Sequence, residues 1–264
     1  MKVTLRGLRN DSNGSILVRH LAFVTEERTA ALRAQLLSAA SRSDLGQQSK
    51  AAASLRGAAL ARRRAAVARF RGTREIAIMP EWRIVTGLGD EGPQEIGIAL
   101  HGTYGWPVLP ASGLKGLARR WAIENAEDDT AWKRIFGTAP TDVAPGKVGT
   151  VTFFDAIPGE KTVKVELDVV TVHHGAYYRR HATSDPTRPD AASPPAGIEN
   201  PVPVTFLTVG RGNPQKNGCL IAVLTGPEAD VETAATWVRD ALSIEGFGAK
   251  TAGGYGYVEG EGDG

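Results

Sequence analysis

Apolar and polar residues alternate with the period of a β-strand in several stretches after residue 74. A strand over 74–88, interrupted at Pro80, is predicted by Ile76, Ile78, Trp82 and Ile84 and the polar residues spaced among them. Runs rich in β-branched residues predict four more strands, over 149–156, 162–172, 202–209 and 219–224. A final strand is predicted after the glycine-rich stretch that ends at Gly256.

Three segments between these strands have the helical period instead. The first begins at Ser112, a residue type that caps helix N-termini. Its predicted buried stripe, at i, i+3, i+4 and i+7, consists of Leu114, Leu117, Ala118 and Trp121. A short helix is predicted over 129–136, ending at Gly137, and a longer one begins with Pro227. The predicted stripe of the longer helix consists of Val231, Ala234, Ala235, Val238, Ala241 and Leu242.

The N-terminal part and one long segment have different patterns. VTLRGL and SILVRHLAF predict two short strands around the turn-forming residues 10–14. Residues 26–70, rich in alanine and arginine, predict helix with a break near 43–48. The segment 173–201 holds five prolines and no strand pattern, so we interpret it as a long loop.

From residue 75 the predicted order is strand, helix, strand, strand, insertion, strand pair, helix and strand. This order predicts an α+β fold with a ferredoxin-like (RRM-like) β-α-β-β-α-β core, a helical N-terminal insertion and a long proline-rich loop. We expect one domain over 1–264, in which 1–74 form the N-terminal strands and basic helical region and 75–264 form the core.

Composition and charge narrow the class of protein. The chain is 42% hydrophobic and 23% charged with a net charge of +2, as in ordinary globular proteins. The single Cys219 excludes an internal disulfide and a cysteine zinc cluster. No apolar run has the length of a membrane span and no signal-peptide core is present, so we expect a cytoplasmic protein without a membrane partner. Between residues 45 and 74 there are eight basic residues and no acidic one, which indicates either a solvated face or a face toward RNA or another subunit.

The stretch GFGAKTAGGYG (246–256) indicates a possible contact with phosphate groups. It lacks the spacing of a P-loop and of a dinucleotide fingerprint, and too few residues follow it for the helix that both motifs require. Two interpretations remain open. One is a clamp on a nucleic-acid backbone, with glycine amides close to phosphate and Lys250 as a point charge. The other is a plain turn before the last strand.

The helix that begins at Ser112 has lysine and no acidic residue in its first turn, a pattern that favours anion binding. Lys115 and Arg119 share one helix face, and with Lys250 they suggest two separate phosphate contacts, as a nucleic-acid backbone requires. HHGAYYRRH (173–181) interleaves aromatic, histidine and arginine residues, a pattern that suits stacking on unpaired bases. Its alternatives are a metal site, acid–base catalysis by His173 or His174, and histidines bonded to the loop backbone.

Five segments together resemble the RAMP superfamily of CRISPR–Cas effector subunits, and most closely the sixth subunit of type III-B (Cmr) complexes. They are IGIALHGTYGWPVLPASGLKGLARR (96–120, preceded by 82–87), LDVVTVHHGAYY (167–178), NPVPVTFLTV (200–209), GFGAKTAGGYG (246–256) and, more loosely, NGSILVRHLAF (13–23). The chain departs from the family segments at Ala111, Gly113, Val172 and Ala176.

The resemblance implies a non-catalytic RNA-binding subunit, without cofactor or metal, that caps the guide-RNA filament near its 3′ end in antiviral defence. It implies crRNA, target RNA, other RAMP subunits and a small helical subunit as partners. The predicted RNA-contacting residues are Ser112, Lys115, Arg119, His173, His174, Tyr177, Tyr178, Gly248, Ala249, Lys250, Thr251, Gly253 and Gly254. The alternative function is a RAMP endoribonuclease acting through His173 or His174, or through Asp11 with Mg²⁺.

Overall fold

A computed structural model describes residues 13–16, 18, 30–89, 98–141, 145–172, 202–213 and 215–259. The helices are α1 (Ala30–Arg42), α2 (Lys50–Val67), α3 (Ala111–Asn125), α4 (Asp129–Phe136) and α5 (Glu228–Ile244). The strands are β1 (Gly72–Ile78), β2 (Arg83–Ile84), β3 (Gly137–Thr138), β4 (Lys147–Val148), β5 (Thr152–Pro158), β6 (Lys164–Val172), β7 (Val202–Gly210) and β8 (Leu220–Gly226). The fold is mixed α and β with antiparallel sheets, as predicted at this coarser level.

The first sheet has the order β1-β8-β5, with β8 antiparallel to both neighbours. Helices α3 and α5 pack against one another and against this sheet. On α5 the whole predicted stripe is buried, from Val231 to Leu242. On α3 the buried residues are Leu114, Ala118 and Ala122, whereas Leu117 and Trp121 are half-buried. Because alanine lets two helices approach closely, Ala122 takes the place in the core that the periodicity assigned to Trp121.

The second sheet has the order β2-β7-β6 and is packed against α1. Side chains from the turn after α1 accept hydrogen bonds at the start of β6: the Val165 amide donates to Asp44 Oδ1 at 2.9 Å, and the Val163 amide, just before the strand, donates to Gln47 Oε1 at 3.2 Å. These bonds satisfy backbone groups at the edge of β6 that would otherwise be free to pair with another chain.

The predicted final strand is wrong within the described residues. Val258 forms only an isolated antiparallel bridge with Pro80. The two predicted N-terminal strands fall almost entirely on residues outside the described ranges, and the predicted loop over 173–201 lies wholly outside them. The helical break is confirmed, because α1 ends at Arg42 and α2 begins at Lys50.

Several arginines of the basic segment bond to other parts of the chain. Arg56 is buried and donates to the Gln47 carbonyl oxygen at 2.7 Å. Arg63 donates to the backbone carbonyl of Ile221, and Arg64 pairs with Glu75 on β1 at 2.8 Å. Burial lowers the pKa of Arg63, although the carboxylates of Asp155 and Glu75 oppose that shift. Arg63 and Arg64 therefore attach α2 to the first sheet.

Candidate nucleic-acid interface

A cleft of about 520 Å³ lies between the start of α3 and the glycine-rich loop over 246–256. Two segments predicted to contact phosphate thus line one concave surface, together with the residues that follow β2. The residues that line it include Ser112, Gly113, Arg120, Glu245, Phe247 and Ala249. Clefts of this volume are in the range that holds a small ligand or part of a polymer.

The first turn of α3 is held by a hydrogen bond to a side chain of β5. The prediction that Ser112 is the N-cap of this helix is wrong. Pro110 occupies the cap position, and its side chain makes no capping bond. The Ala111 amide instead donates to Asp155 Oδ1 on β5 at 2.7 Å. Ser112 is displaced into the first turn, where it is exposed and lines the cleft.

The glycine-rich loop contacts both β2 and α3 at close range. Its Ala249 amide donates to the Val85 carbonyl at 2.8 Å, and its Gly256 amide donates to the Arg83 carbonyl at 2.7 Å. Phe247 is buried against the first turn of α3, where a Cβ on Gly113 would lie 2.9 Å from its ring. The small residue at position 113 therefore lets the loop and the helix meet.

The loop glycines do not all serve the same purpose. Gly248 has φ +93°, and a Cβ there would lie 2.1 Å from the Val85 carbonyl oxygen, so packing alone requires glycine. Gly253 is different, because its nearest neighbour would be a Tyr255 ring carbon at 3.7 Å, an ordinary contact. Gly254 has φ +86° but open space around it. The exposed tip of the loop thus has room for an approaching molecule.

Lys250 adopts a left-handed conformation, with φ +64°, immediately before the short 3₁₀ turn Thr251–Gly253. This conformation costs a residue with a side chain about 1 kcal/mol relative to glycine. The lysine ammonium nitrogen lies 5.8 Å from the centre of the Phe206 ring, within the range of a cation–π contact. A strained non-glycine residue at a candidate site is an observation that favours a role beyond folding.

An ionic network on the second sheet contacts the glycine-rich loop at Tyr255. Tyr255 donates to Asp168 Oδ2 at 2.8 Å, and Arg83 bonds to Asp168 and, at 2.8 Å, to Glu166. Burial raises the pKa of Asp168, but the hydrogen bonds from Tyr255, the Val169 amide and Arg83 outweigh it and lower the pKa overall. Trp82, half exposed, packs on Tyr255 with ring centres 4.8 Å apart.

The predicted basic residues of α3 do not line this cleft. The Arg119 guanidinium lies 5.3 Å from the centre of the Trp132 ring on α4, and Lys115 is half-buried outside the cleft. The α3 cation that lines it is Arg120, whose Nη2 is 2.9 Å from Glu245 Oε2. Sequence reasoning missed this pair, since its partners are far apart in the chain; the only signal was the run of two arginines after Leu117.

Five other predicted residues lie outside the described part of the chain: Asp11, His173, His174, Tyr177 and Tyr178. Their assignment to RNA contact or catalysis stays a prediction. Among the residues that the structure describes, no three histidine, cysteine, aspartate or glutamate side chains form a group that could hold a metal ion.

Comparison with known proteins identifies the family. The profile of the RAMP superfamily matches residues 82–259, which include β2, all of α3, both sides of the cleft and the glycine-rich loop. This chain belongs to the RAMP superfamily. The family resemblance drawn from the five sequence segments is thereby confirmed.

Within the RAMP superfamily, the chain is similar to the CRISPR system Cmr subunit Cmr6 of Pyrococcus furiosus. The two are 30% identical over 234 residues, which cover 66% of this chain and 64% of the relative. The chain thus spans a little under two thirds of that relative's length.

One solved structure also has this fold. One chain from a cryo-EM structure described as the type III-B Cmr-beta bound to cognate target RNA has a TM-score of 0.59. It is 18% identical, over 87% of this chain and 71% of that one, so the likeness concerns the fold. The crystal structure of Pyrococcus furiosus Cmr6 is 26% identical over 71% of this chain and 99% of that one, with a TM-score of 0.41. None of the described helices is long and apolar enough to cross a membrane.

Proposed function

We propose that this RAMP protein is a non-catalytic crRNA-binding subunit of a type III-B effector complex that caps the guide filament near the crRNA 3′ end in antiviral defence. Its partners in this proposal are crRNA, target RNA, other RAMP subunits and a small helical subunit. The similarity to a Cmr subunit and the fold shared with a chain of an RNA-bound Cmr assembly support it.

The observation that carries the proposal is the cleft between α3 and the glycine-rich loop. Ser112 and Gly113 line it from the helix, and Gly248, Ala249 and Thr251 line it from the loop. Exposed backbone at glycine, hydroxyl groups and a nearby lysine are groups that bind phosphate and sugar without reading a base. A surface of this kind suits a guide RNA, whose sequence varies while its backbone does not.

We further propose that the first sheet is the remnant of a ferredoxin-like β-α-β-β-α-β core. In the first half of this core, α3 connects β1 to β5, and these two strands lie on opposite sides of β8. In the second half, α5 follows β8 and leads to Val258, which lies beside Pro80 after β1. The β6–β7 hairpin is inserted between β5 and β8 and forms the second sheet. In this arrangement the loop after α5 lies over the inserted hairpin, where Tyr255 contacts Asp168.

The test is RNA affinity at several salt concentrations, measured by fluorescence anisotropy with a labelled single-stranded RNA. Lys250→Gly removes one charge and relieves the left-handed strain, so affinity should fall about fivefold while the melting temperature holds or rises. The magnitude of the salt slope should decrease by roughly 0.7 for one lost phosphate contact. RNA affinity is measured in the same way for Lys115→Ala and Arg119→Ala, because these two residues are the other predicted phosphate contacts.

Lys133→Ala is the matched control, because this lysine pairs with Asp129 on α4 and belongs neither to α3 nor to the glycine-rich loop. It should leave the affinity and the slope as in the wild-type chain. Wild-type affinity in Lys250→Gly would exclude Lys250 from the interface, and a wild-type chain that binds no RNA at low salt would overturn the proposed function.

A further inference from the structure

Trp82 is the most exposed of the five tryptophans in the chain. It is 47% exposed, whereas Trp106 is buried and the other three are half-buried. Tryptophan stabilises a fold mainly by burying its large ring, and the ring of Trp82, immediately before β2, leaves much of that surface in solvent. A single exposed apolar side chain is common, so the neighbours of this ring decide whether it has a role.

The neighbours of Trp82 hold its ring in one orientation. The centre of the Tyr255 ring is 4.8 Å from the centre of the Trp82 ring, and the Arg83 guanidinium carbon is 4.9 Å from the same centre. Both neighbours bond to one atom, Asp168 Oδ2, so they approach the indole from the same side. The exposed surface of Trp82 is therefore the opposite side of a ring that is supported from behind.

A ring fixed in this way can bind a flat ligand at a small cost in conformational entropy. Its orientation is already set in the free protein, so little side-chain freedom is lost when the ligand binds. The nucleobases of an unpaired strand and the rings of a partner protein are both flat. The charge beside the ring distinguishes between them.

The nearby charge is Lys250, in the glycine-rich loop. Its carbonyl accepts from the Tyr255 amide at 3.3 Å, so the lysine and the ring that supports Trp82 belong to one tight turn. Its ammonium group lies over the ring of Phe206, whose centre is 6.2 Å from that of Tyr255. An aromatic surface beside a cation is the combination that binds single-stranded nucleic acid, because a base stacks on the ring and a phosphate contacts the cation.

We propose that the exposed face of Trp82 stacks on one unpaired base of a bound RNA, while Lys250 contacts a phosphate of the same strand. Every base has a π-face, so this contact holds a strand without selecting its sequence. The inference deepens the proposed function and rests on it, because it assumes a single-stranded RNA along the glycine-rich loop.

The test compares a short labelled RNA with an oligomer that has the same ribose–phosphate backbone and no bases. We expect the wild-type chain to bind the RNA at least roughly tenfold more tightly in fluorescence anisotropy, as stacking of one base predicts. Trp82→Leu keeps an apolar side chain over Tyr255 but has no aromatic face. It should bind the RNA roughly tenfold more weakly than the wild type and the base-free oligomer equally well. Trp82→Phe, which has an aromatic face, should keep most of the preference.

The salt dependence separates stacking from a phosphate contact. Trp82→Leu removes no charge, so the magnitude of its salt slope should equal that of the wild type, whereas Lys250→Gly should lower it. Phe70→Leu is the matched control, because Phe70 is an aromatic residue with 50% exposure in the turn between α2 and β1. It should leave the affinity for both oligomers unchanged.

A second measurement does not depend on the stability of the leucine variant. Stacking of a base quenches indole fluorescence, so RNA should quench the tryptophan emission of the wild type more than that of Trp82→Phe. Equal quenching in the two proteins would overturn the inference.

Equal wild-type affinity for RNA and the base-free oligomer would also overturn it and leave the proposed function standing. So would an undiminished preference in a Trp82→Leu variant that melts at the wild-type temperature, and the exposed ring would then suit a protein partner. Absence of binding to either oligomer would overturn both the inference and the proposed function.

Discussion

At the scale of single residues, the glycine-rich loop separates what folding requires from what a ligand requires. Gly248 is held against Val85 by the parallel bridge between them, so its lack of a side chain is explained within the chain. Gly253 has no such neighbour. Two glycines five residues apart in one loop therefore serve different purposes.

Gly248→Ala and Gly253→Ala form a matched pair that tests this difference. Gly248→Ala should lower the free energy of unfolding by about 2 kcal/mol or more, because it combines a positive φ with a steric clash. Gly253→Ala should leave the free energy of unfolding within about 0.5 kcal/mol of wild type. If the RNA backbone approaches the loop tip, it should nevertheless weaken RNA binding severalfold.

Urea unfolding and anisotropy on both variants give the answer. Unchanged RNA affinity in a stable Gly253→Ala variant would contradict contact at the tip of the loop. Unchanged stability in Gly248→Ala would contradict the close packing against Val85.

At the scale of elements, the carboxylate of Asp230 connects α5 to α4 and to the segment before β5. Asp230 in the first turn of α5 accepts from Arg134 of α4 at 2.9 Å and from the Thr150 hydroxyl before β5 at 2.7 Å. The hydrogen bond from Arg134 lowers the pKa of Asp230; burial opposes this, and the bond from Thr150 adds to it. The ionised form is therefore favoured by the folded chain.

Asp230→Asn should make the stability of the chain less sensitive to acid. With a pKa lower in the folded than in the unfolded chain, Asp230 stabilises the fold fully above the ordinary aspartate pKa of about 4. That stabilisation is lost as the pH falls through the lowered value. We expect the variant to lose about 2 kcal/mol at pH 7 and progressively less below pH 4, in urea unfolding at each pH. A constant difference from pH 7 to pH 3 would contradict the assignment.

Local sequence patterns predicted most elements but not the bonds between them. α4 is found over the predicted residues and ends at Gly137 with φ +83°, because a short amphipathic helix and a glycine stop are local signals. Ser112 failed as a cap because Asp155, far along the chain, supplies the bond to the first turn of α3. The pairing of Arg120 with Glu245 was missed for the same reason, since nothing near Arg120 in the sequence indicates Glu245. The convergence of α3 and the glycine-rich loop was suggested by their basic and glycine residues, but the carboxylate between them was not.

At the scale of the whole molecule, the N-terminal helices lie outside the family match but are integrated with the core that it includes. The match begins at residue 82, yet Leu37, Ala40 and Leu45 belong to the same buried cluster as residues of both sheets. α2 contributes Leu60 to a second cluster with Ile157 of β5. Removal of residues before 72 would therefore expose both sheets.

We predict that the purified chain does not cleave RNA. In an assembled effector complex, Asp11→Ala, His173→Ala and His174→Ala should leave target cutting near the wild-type rate. The reason is that the sequence around these residues shows no combination of groups required for cleavage. Cleavage by the purified chain is measured by incubating it with labelled RNA, with and without Mg²⁺, and separating the products on a gel. Target cutting is measured in a cleavage assay on complexes that carry each variant. Specific cleavage by the pure subunit that one of the substitutions abolishes would favour the endoribonuclease alternative.

The register of the first sheet also has a consequence for the order of events during synthesis. β8 is the central strand, and it pairs Gly72 with Gly226 and Thr152 with Thr225. β1 and β5 lie on its two sides and have no bonds to each other, so neither can join a sheet until β8 has left the ribosome. Contacts of such long sequence separation slow folding. The first sheet therefore forms late in translation, and the cleft, which needs both α3 and the loop after α5, is completed only once that loop has been made.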